Sequence, residues 1–245
     1  MAVKSGRLYR NSIRRLSMIF MSQMPQIPSE TSFFRDIKVF EGLRKQIFPE
    51  LLRRNYQQQQ LNIWSAACSR GQEAYSLAML LDDAFPLMVD RWTIQILASD
   101  ISDEVLHQAR SGVYSDLEIK RRLPKRFRDR YFHCRGNHWV ICDEIRLMVQ
   151  FRRIDLRQPL PPLPQMDLVF LRNLLIYFEV SQRTQLVKRL QPIFKPQGYL
   201  VLGASETLTS SIEGFRAILR DGAVFYEFCP SGDASGGDRP ILYKV

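Results

Sequence analysis

The chain has 245 residues, 45% of them apolar and 24% charged, with a formal net charge of +10. That is enough apolar material for one ordinary domain, or one domain with a small appendage, and it argues against a disordered chain. No run of about 18 apolar residues predicts a membrane span, and no leader with a cleavage site is visible. The four cysteines and three histidines show no metal-ligand spacing, so no metal is expected and the cysteines read as free thiols of a reducing cytoplasm.

In chain order, residues 1–28 read as a short basic helix and a loop with Pro25 and Pro28. Thr31 is placed to cap a helix beginning SFFRDIKVFEGLRKQIF, and a second helical piece after Pro49 reaches Arg54. Residues 1–54 are therefore taken as an N-terminal basic helical segment, with eleven basic and four acidic side chains. Then an alternation begins: strand 61–66, helix 72–85, strand 93–99 and helix 102–110, started by Ser102 and stopped at Gly112. It resumes with strand 167–172, helix 181–194 and strand 199–204, and ends in a hairpin around Asp221-Gly222. Strands alternating with helices predict an α/β, doubly wound, Rossmann-like sheet that is mostly parallel. Residues 131–151 break the rhythm and read as a small antiparallel β insert of two or three strands. The domain is expected to span 55–229, and 230–245 to be a flexible tail.

In such a sheet a ligand lies outside the carboxyl ends of the strands. Strand one there delivers a small-residue turn, Ala66, Ala67, Ser69 and Gly71, and then Glu73 opening a helix. The next strand ends in Asp100, where a Rossmann-like fold holds ribose hydroxyls. The turn has one glycine rather than the three of a dinucleotide fingerprint, so a smaller adenosyl ligand fits better. Asp155-Leu156, Arg172-Asn173 and Tyr177 arrive on the same rim from later strands. Each has a structural alternative: Glu73 as a helix-dipole acid, Asp100 and Ser102 as caps, Arg172-Asn173 as turn residues, Tyr177 as a packed ring. Five segments converging on one rim weigh more than any one motif.

The strings TSFFR (31–35), WSAACSRGQEAYS (64–76), LASDIS (97–102), ARSGVY (109–114), RNLLIYF (172–178) and IFKPQGYL (193–200) together resemble the CheR family of chemotaxis-receptor glutamate methyltransferases. The match runs over roughly residues 29–228. It implies a class I S-adenosylmethionine-dependent fold and transfer of a methyl group to receptor glutamates, with S-adenosylhomocysteine as product. It also implies roles. Thr31 and Arg35 would contact the methionine end of the cofactor, Ser29 beside them, with Arg35 near the transferred methyl. Glu73 would bind the amino group and Asp100 the ribose hydroxyls. Asp155 and Leu156, where the family has Asn-Leu, would border the adenine. Arg172 and Asn173 would line the cleft, and Tyr177 would face the substrate carboxylate. The insert matches the family's β-subdomain, which in some members docks a receptor tail peptide. The family's N-terminal helical domain appears here only as a reduced, Arg-rich segment.

The resemblance implies the cytoplasmic domain of a methyl-accepting receptor as partner and a cytoplasmic location, with neither nucleic acid nor membrane insertion. A different class of reading, an adenosyl-binding adaptor without turnover, also fits the sequence, and methyl ester formation separates the two. A nucleic-acid methyltransferase would use the basic clusters, notably KRRLPKRFRDR at 120–130 with seven basic residues and one acidic, but the signatures of such enzymes are missing. A solvated basic face is the plain alternative for those clusters.

Overall fold

The computed structural model describes residues 31–208 and 212–230. The expected helix at the N-terminus, Ser29 and most of the tail lie outside these residues. Among the described residues, ten strands form two sheets. The large sheet holds β1 (Gln60–Ala66), β2 (Thr93–Asp100), β6 (Val149–Arg153), β7 (Met166–Leu171), β8 (Phe194–Leu202), β9 (Phe215–Arg220) and β10 (Ala223–Phe228). Its order is β6-β2-β1-β7-β8-β10-β9, parallel except for the pairs made by β10. The strand order reverses beside β1, between β1 and β7, which is the switch point where an open α/β sheet binds its ligand.

Alternation along the strands sends apolar side chains to both faces. Leu61, Ile63, Ile96, Leu168, Phe170 and Val201 pack on one side, Trp64, Ala66, Leu97, Val169, Leu171 and Leu200 on the other. The first face is covered by helix α3 (Gln72–Ala84) and by the run α1 (Ile37–Gly42), a π-helical turn Leu43–Ile47, and α2 (Phe48–Arg54). Residues 31–54 thus share the core of the sheet: Phe40, Leu43, Ile47, Phe48 and Leu51 are buried in it.

The helix expected to start after Thr31 starts at Ile37 instead. Phe34 and Asp36 take left-handed φ angles of 48° and 60°. The cause is tertiary. Phe33 lies edge-on to Tyr114 and Phe132, with ring centroids 4.9 and 5.5 Å away, Phe34 packs on Phe127, and the Phe34 N–H donates to Ser76 Oγ at 3.0 Å. Both rings are buried, and the turn that buries them excludes a helix there.

After the short α4 (Pro86–Arg91), helix α5 (Asp103–Ser111) begins as its capping signal predicts, with Ser102 Oγ accepting from the Val105 N–H, and Gly112 ends it. The small sheet takes its first strand from β3 (Val113–Ser115), upstream of the expected insert, and pairs it with β5 (His138–Ile141), which pairs with β4 (Phe132–Arg135). Between β3 and β4 lie α6 (Asp116–Arg122) and α7 (Lys125–Tyr131), and α8 (Asp143–Leu147) leads back to β6 in the large sheet. The basic run 120–130 is these two helices, and much of its charge is answered locally: Lys120–Asp116 at 2.7 Å, Lys125–Asp129 at 2.7 Å, Arg130–Asp82 at 2.9 Å and an Arg126–Asp83 pair. Helix α9 (Val180–Leu190) covers the second face of the sheet. β8 starts earlier than its Pro-Gly pair suggests, with a register shift opposite Met166–Leu168. The Asp221-Gly222 turn has positive φ at both residues, as a two-residue hairpin requires.

Candidate functional site

At the end of β1 the chain turns into α3 through Ala67, Ser69 and Gly71, which all have left-handed φ, at 58°, 49° and 85°. Left-handed backbone at every second residue is the geometry usually given to glycines, and here two non-glycine residues carry it, at about 1–2 kcal/mol each. Gly71 itself has no alternative. A Cβ there would lie 3.1 Å from both Ala109 Cβ and Phe151 Cζ. The strain is held by neighbours: the Cys68 N–H donates to Ser99 O at 2.8 Å, and the Ser69 N–H donates to Asp100 Oδ2 at 3.0 Å. The other oxygen of Asp100 accepts from the Ser102 N–H at 3.1 Å. The carboxylate at the tip of β2 therefore fixes both the cofactor-type turn and the start of α5. Each carboxylate oxygen has a second lone pair left for a hydroxyl.

Glu73 sits in the first turn of α3. Its Oε1 accepts from Ser65 Oγ at 2.7 Å and its Oε2 from Arg172 Nη1 at 3.1 Å. Arg172, whose side chain is 2% exposed, also donates from Nη2 to Asp36 Oδ2. Asp36–Arg172–Glu73–Ser65 is thus a continuous chain of charge-assisted bonds linking the residue after TSFFR, the end of β7 and the turn after β1. The Cys68 thiol lies among these groups. Burial pushes its pKa up, and the charges of Asp100 and Glu73 push it further, so the thiol stays protonated.

At the end of β7, Asn173 has a left-handed φ of 56° and leads into the 3₁₀ turn Leu175–Tyr177. Tyr177 and Phe178 line an open groove of about 670 Å³ with the exposed Ile176 and Val180. Glu206, beyond β8, reaches back to this loop. Arg35 and Thr31 are half-buried at the two ends of the stapled Phe33-Phe34 pair. Asp155 follows β6, and its carboxylate is taken by Arg157, through Nε at 2.8 Å and Nη2 at 2.9 Å. Burial raises the Asp155 pKa and the Arg157 bonds lower it more, leaving it below the usual carboxylate value. The Leu156 side chain is buried in the second-face core, and its carbonyl accepts from Arg189 Nη2 at 2.8 Å.

Glu73 and Arg172, with Asn173 next to it, therefore meet at the switch point, Asp100 stands at the end of the neighbouring β2, and Asp155 lies one strand further out. Sequence reasoning missed Asp36, Ser65 and Glu206. Asp36 had a signal in its position directly after TSFFR. Glu206, four residues past a strand end on the same rim, had the same signal as Asp100.

The donor set suits a cationic amino acid joined to a nucleoside. It offers an acid–guanidinium pair for an amino and a carboxylate group, a second acid for vicinal hydroxyls, and a turn without bulk. Arg172 Nε and Gln72 Oε1 are buried with no hydrogen-bond partner among the described residues, a donor and an acceptor still to be answered. Fold and donor set together are those of a Rossmann-like protein whose rim suits an adenosyl ligand.

Residues 29–222 match the family model for CheR methyltransferase, SAM binding domain. Chemotaxis protein methyltransferase 1 of Pseudomonas aeruginosa is 37% identical over 201 residues, covering 81% of this chain and 73% of the relative. Chemotaxis protein methyltransferase Cher2 of Pseudomonas putida is 36% identical over 202 residues with the same coverage. A chemotaxis protein methyltransferase of Borreliella burgdorferi is 34% identical over 184 residues, 74% of this chain and 65% of the relative. The chain belongs to the CheR methyltransferase family, and its cofactor is S-adenosylmethionine.

Proposed function

We propose that this protein methylates glutamate side-chain carboxylates in the cytoplasmic domain of a methyl-accepting chemotaxis-type receptor, giving glutamyl methyl esters and S-adenosylhomocysteine. The observation that carries the reading is the Asp36–Arg172–Glu73 chain, which joins TSFFR to the cofactor turn in a chain 37% identical to a chemotaxis protein methyltransferase. The receptor partner and a cytoplasmic place of action are part of this proposal. Among the described residues no helix is long and apolar enough to cross a membrane.

When bound, S-adenosylmethionine supplies an electrophilic methyl group on a positively charged sulfur. The chain's residues then have to bind, orient and keep water out. On this reading Glu73 takes the amino group, Asp100 the ribose hydroxyls, and Arg172 Nε the carboxylate. Thr31 and Arg35 flank the methionine end, Asn173 lines the cleft, and Asp155 and Leu156 border the base. Arg35 and Tyr177 fix the acceptor carboxylate, one by charge and one by its hydroxyl. A glutamate side chain, with an ordinary pKa of about 4.3, is already an anion at neutral pH, so no general base is required. With the cofactor bound, its carboxylate oxygen would be the acceptor of the methyl group, and S-adenosylhomocysteine would be the leaving product. The Cys68 thiol, held protonated by burial and two acids, does not compete as a nucleophile.

Incubation with methyl-tritiated cofactor and a receptor methylation-region fragment should place label on glutamates and release it as methanol in base. Binding of S-adenosylhomocysteine with no base-labile label on any such fragment would reject the substrate and leave an adaptor.

A further inference from the structure

Glu206 is buried, 7% exposed, and among the described residues no positive side chain forms an ion pair with it. Its carboxylate is spent on backbone. Oε2 accepts from the Gly203 N–H at 2.7 Å and from the Asn173 N–H at 2.7 Å, and Oε1 accepts from the Ile176 N–H at 3.3 Å. These three donors belong to two different strand ends. Gly203 closes β8. Asn173 follows β7 in a left-handed conformation, and Ile176 lies inside the 3₁₀ turn that carries Tyr177. The packing is tight enough to dictate the residue at 203: a Cβ there would stand 2.8 Å from Glu206 Oε2 and 2.7 Å from Asn173 Nδ2.

We infer that Glu206 is the positioning residue for the Arg172–Tyr177 loop, setting Tyr177 against the acceptor through the Ile176 amide and setting Arg172-Asn173 through the Asn173 amide. This rests on the reading of Tyr177 as the residue that faces the acceptor. The two oxygens divide the work. Oε2 ties the strand ends that shape the cofactor side, and Oε1 alone reaches the turn on the acceptor side. A buried backbone N–H left without its acceptor is costly, so the loop has a strong preference for this one arrangement while the carboxylate is present.

Glu206→Gln separates the two halves, because an amide keeps one acceptor oxygen for Gly203 and Asn173 and sets an NH₂ against the Ile176 N–H. The expected result is a fall in kcat of about tenfold or more, with KM for the receptor fragment and Kd for S-adenosylhomocysteine each within about threefold of wild type. Amide hydrogen exchange across residues 173–178 should quicken in the same variant, with exchange in α3 unchanged. Glu206→Ala, losing both oxygens, should also weaken S-adenosylhomocysteine binding. Wild-type kcat in Glu206→Gln, or a kcat loss matched by equal loss of cofactor affinity, overturns the assignment. Should the wild-type protein prove inactive on receptor fragments, the exchange data still decide: unchanged exchange over 173–178 in both variants overturns the positioning role, and quickened exchange supports it while the substrate reading alone falls.

Discussion

Arg172 and Glu73 meet at 3.1 Å, Nη1 to Oε2, across 99 residues of chain. The same guanidinium holds Asp36 through Nη2, so one buried cation stands between two carboxylates from segments far apart in sequence. Removing it strands both acids. Arg172→Met should cost about 3–5 kcal/mol, the range for breaking a buried pair from one side. Asp36→Asn should cost about 1 kcal/mol or less, because Asp36 is 33% exposed and water screens the loss. Urea unfolding of the two variants checks the contrast, and equal costs would refute the central place given to Arg172.

Binding and turnover should separate along the site. Glu73→Ala and Asp100→Ala should each lower S-adenosylhomocysteine affinity about a hundredfold or more by calorimetry, since on the proposed assignment each removes a charged contact, and loss of Asp100 also releases the Ser69 and Ser102 amides. Arg35→Ala and Tyr177→Phe should lower turnover on a receptor fragment about tenfold or more with affinity for S-adenosylhomocysteine nearly intact. Unchanged affinity in both acid variants would remove the site assignment.

The turn after β1 stores backbone strain at Ala67. Ala67→Gly relieves a left-handed φ of 58° but adds freedom to the unfolded chain, so it should be neutral to stabilising by up to about 1 kcal/mol. Gly71→Ala should do the opposite and cost about 1–3 kcal/mol, because the new methyl meets Ala109 and Phe151 in a backbone conformation it disfavours. Thermal unfolding of the two variants should shift in opposite directions or by clearly unequal amounts.

Asp155 makes stability depend on acid. Burial raises its pKa, but the Arg157 bonds outweigh burial and leave it depressed in the folded protein. A depressed pKa means the unfolded chain takes up the proton first. The stabilisation is therefore complete above about pH 4 and is lost as the pH falls through the folded value. Arg157→Met should be less stable than wild type at pH 7, and the gap should narrow once the pH drops below about 4. A gap that holds constant through that window would show that Asp155 does not titrate with the pair.

The local rules of the chain were enough for much of the fold. Apolar runs bounded by turns marked β1, β2 and β7, Ser102 and Gly112 bracketed α5, and Asp221-Gly222 marked the hairpin, because each signal acts within a few residues of itself. The rim residues Glu73, Asp100, Arg172 and Asn173 were legible for a related reason: strand ends in an alternating α/β pattern all point to one edge. Elements that depend on distant partners were not legible in this way. Phe33 and Phe34 look like the start of a helix until the small sheet and Ser76 draw them inward. The short β3 looks like a helix stop until β5 arrives to pair with it.

The succession of strands and helices, the small-residue turn after β1 and the acids that follow β1 and end β2 were thus legible in the sequence, since hydrophobic period and turn chemistry are local properties. Folding alone decided what those acids do to one another. It put Asp36 and Glu73 on the same guanidinium, made an alanine and a serine take up glycine's backbone geometry, and turned Glu206 back onto the loop of Tyr177. Buried charges and buried amides must find partners wherever the packed chain brings one within reach, and that is fixed only when the whole core closes.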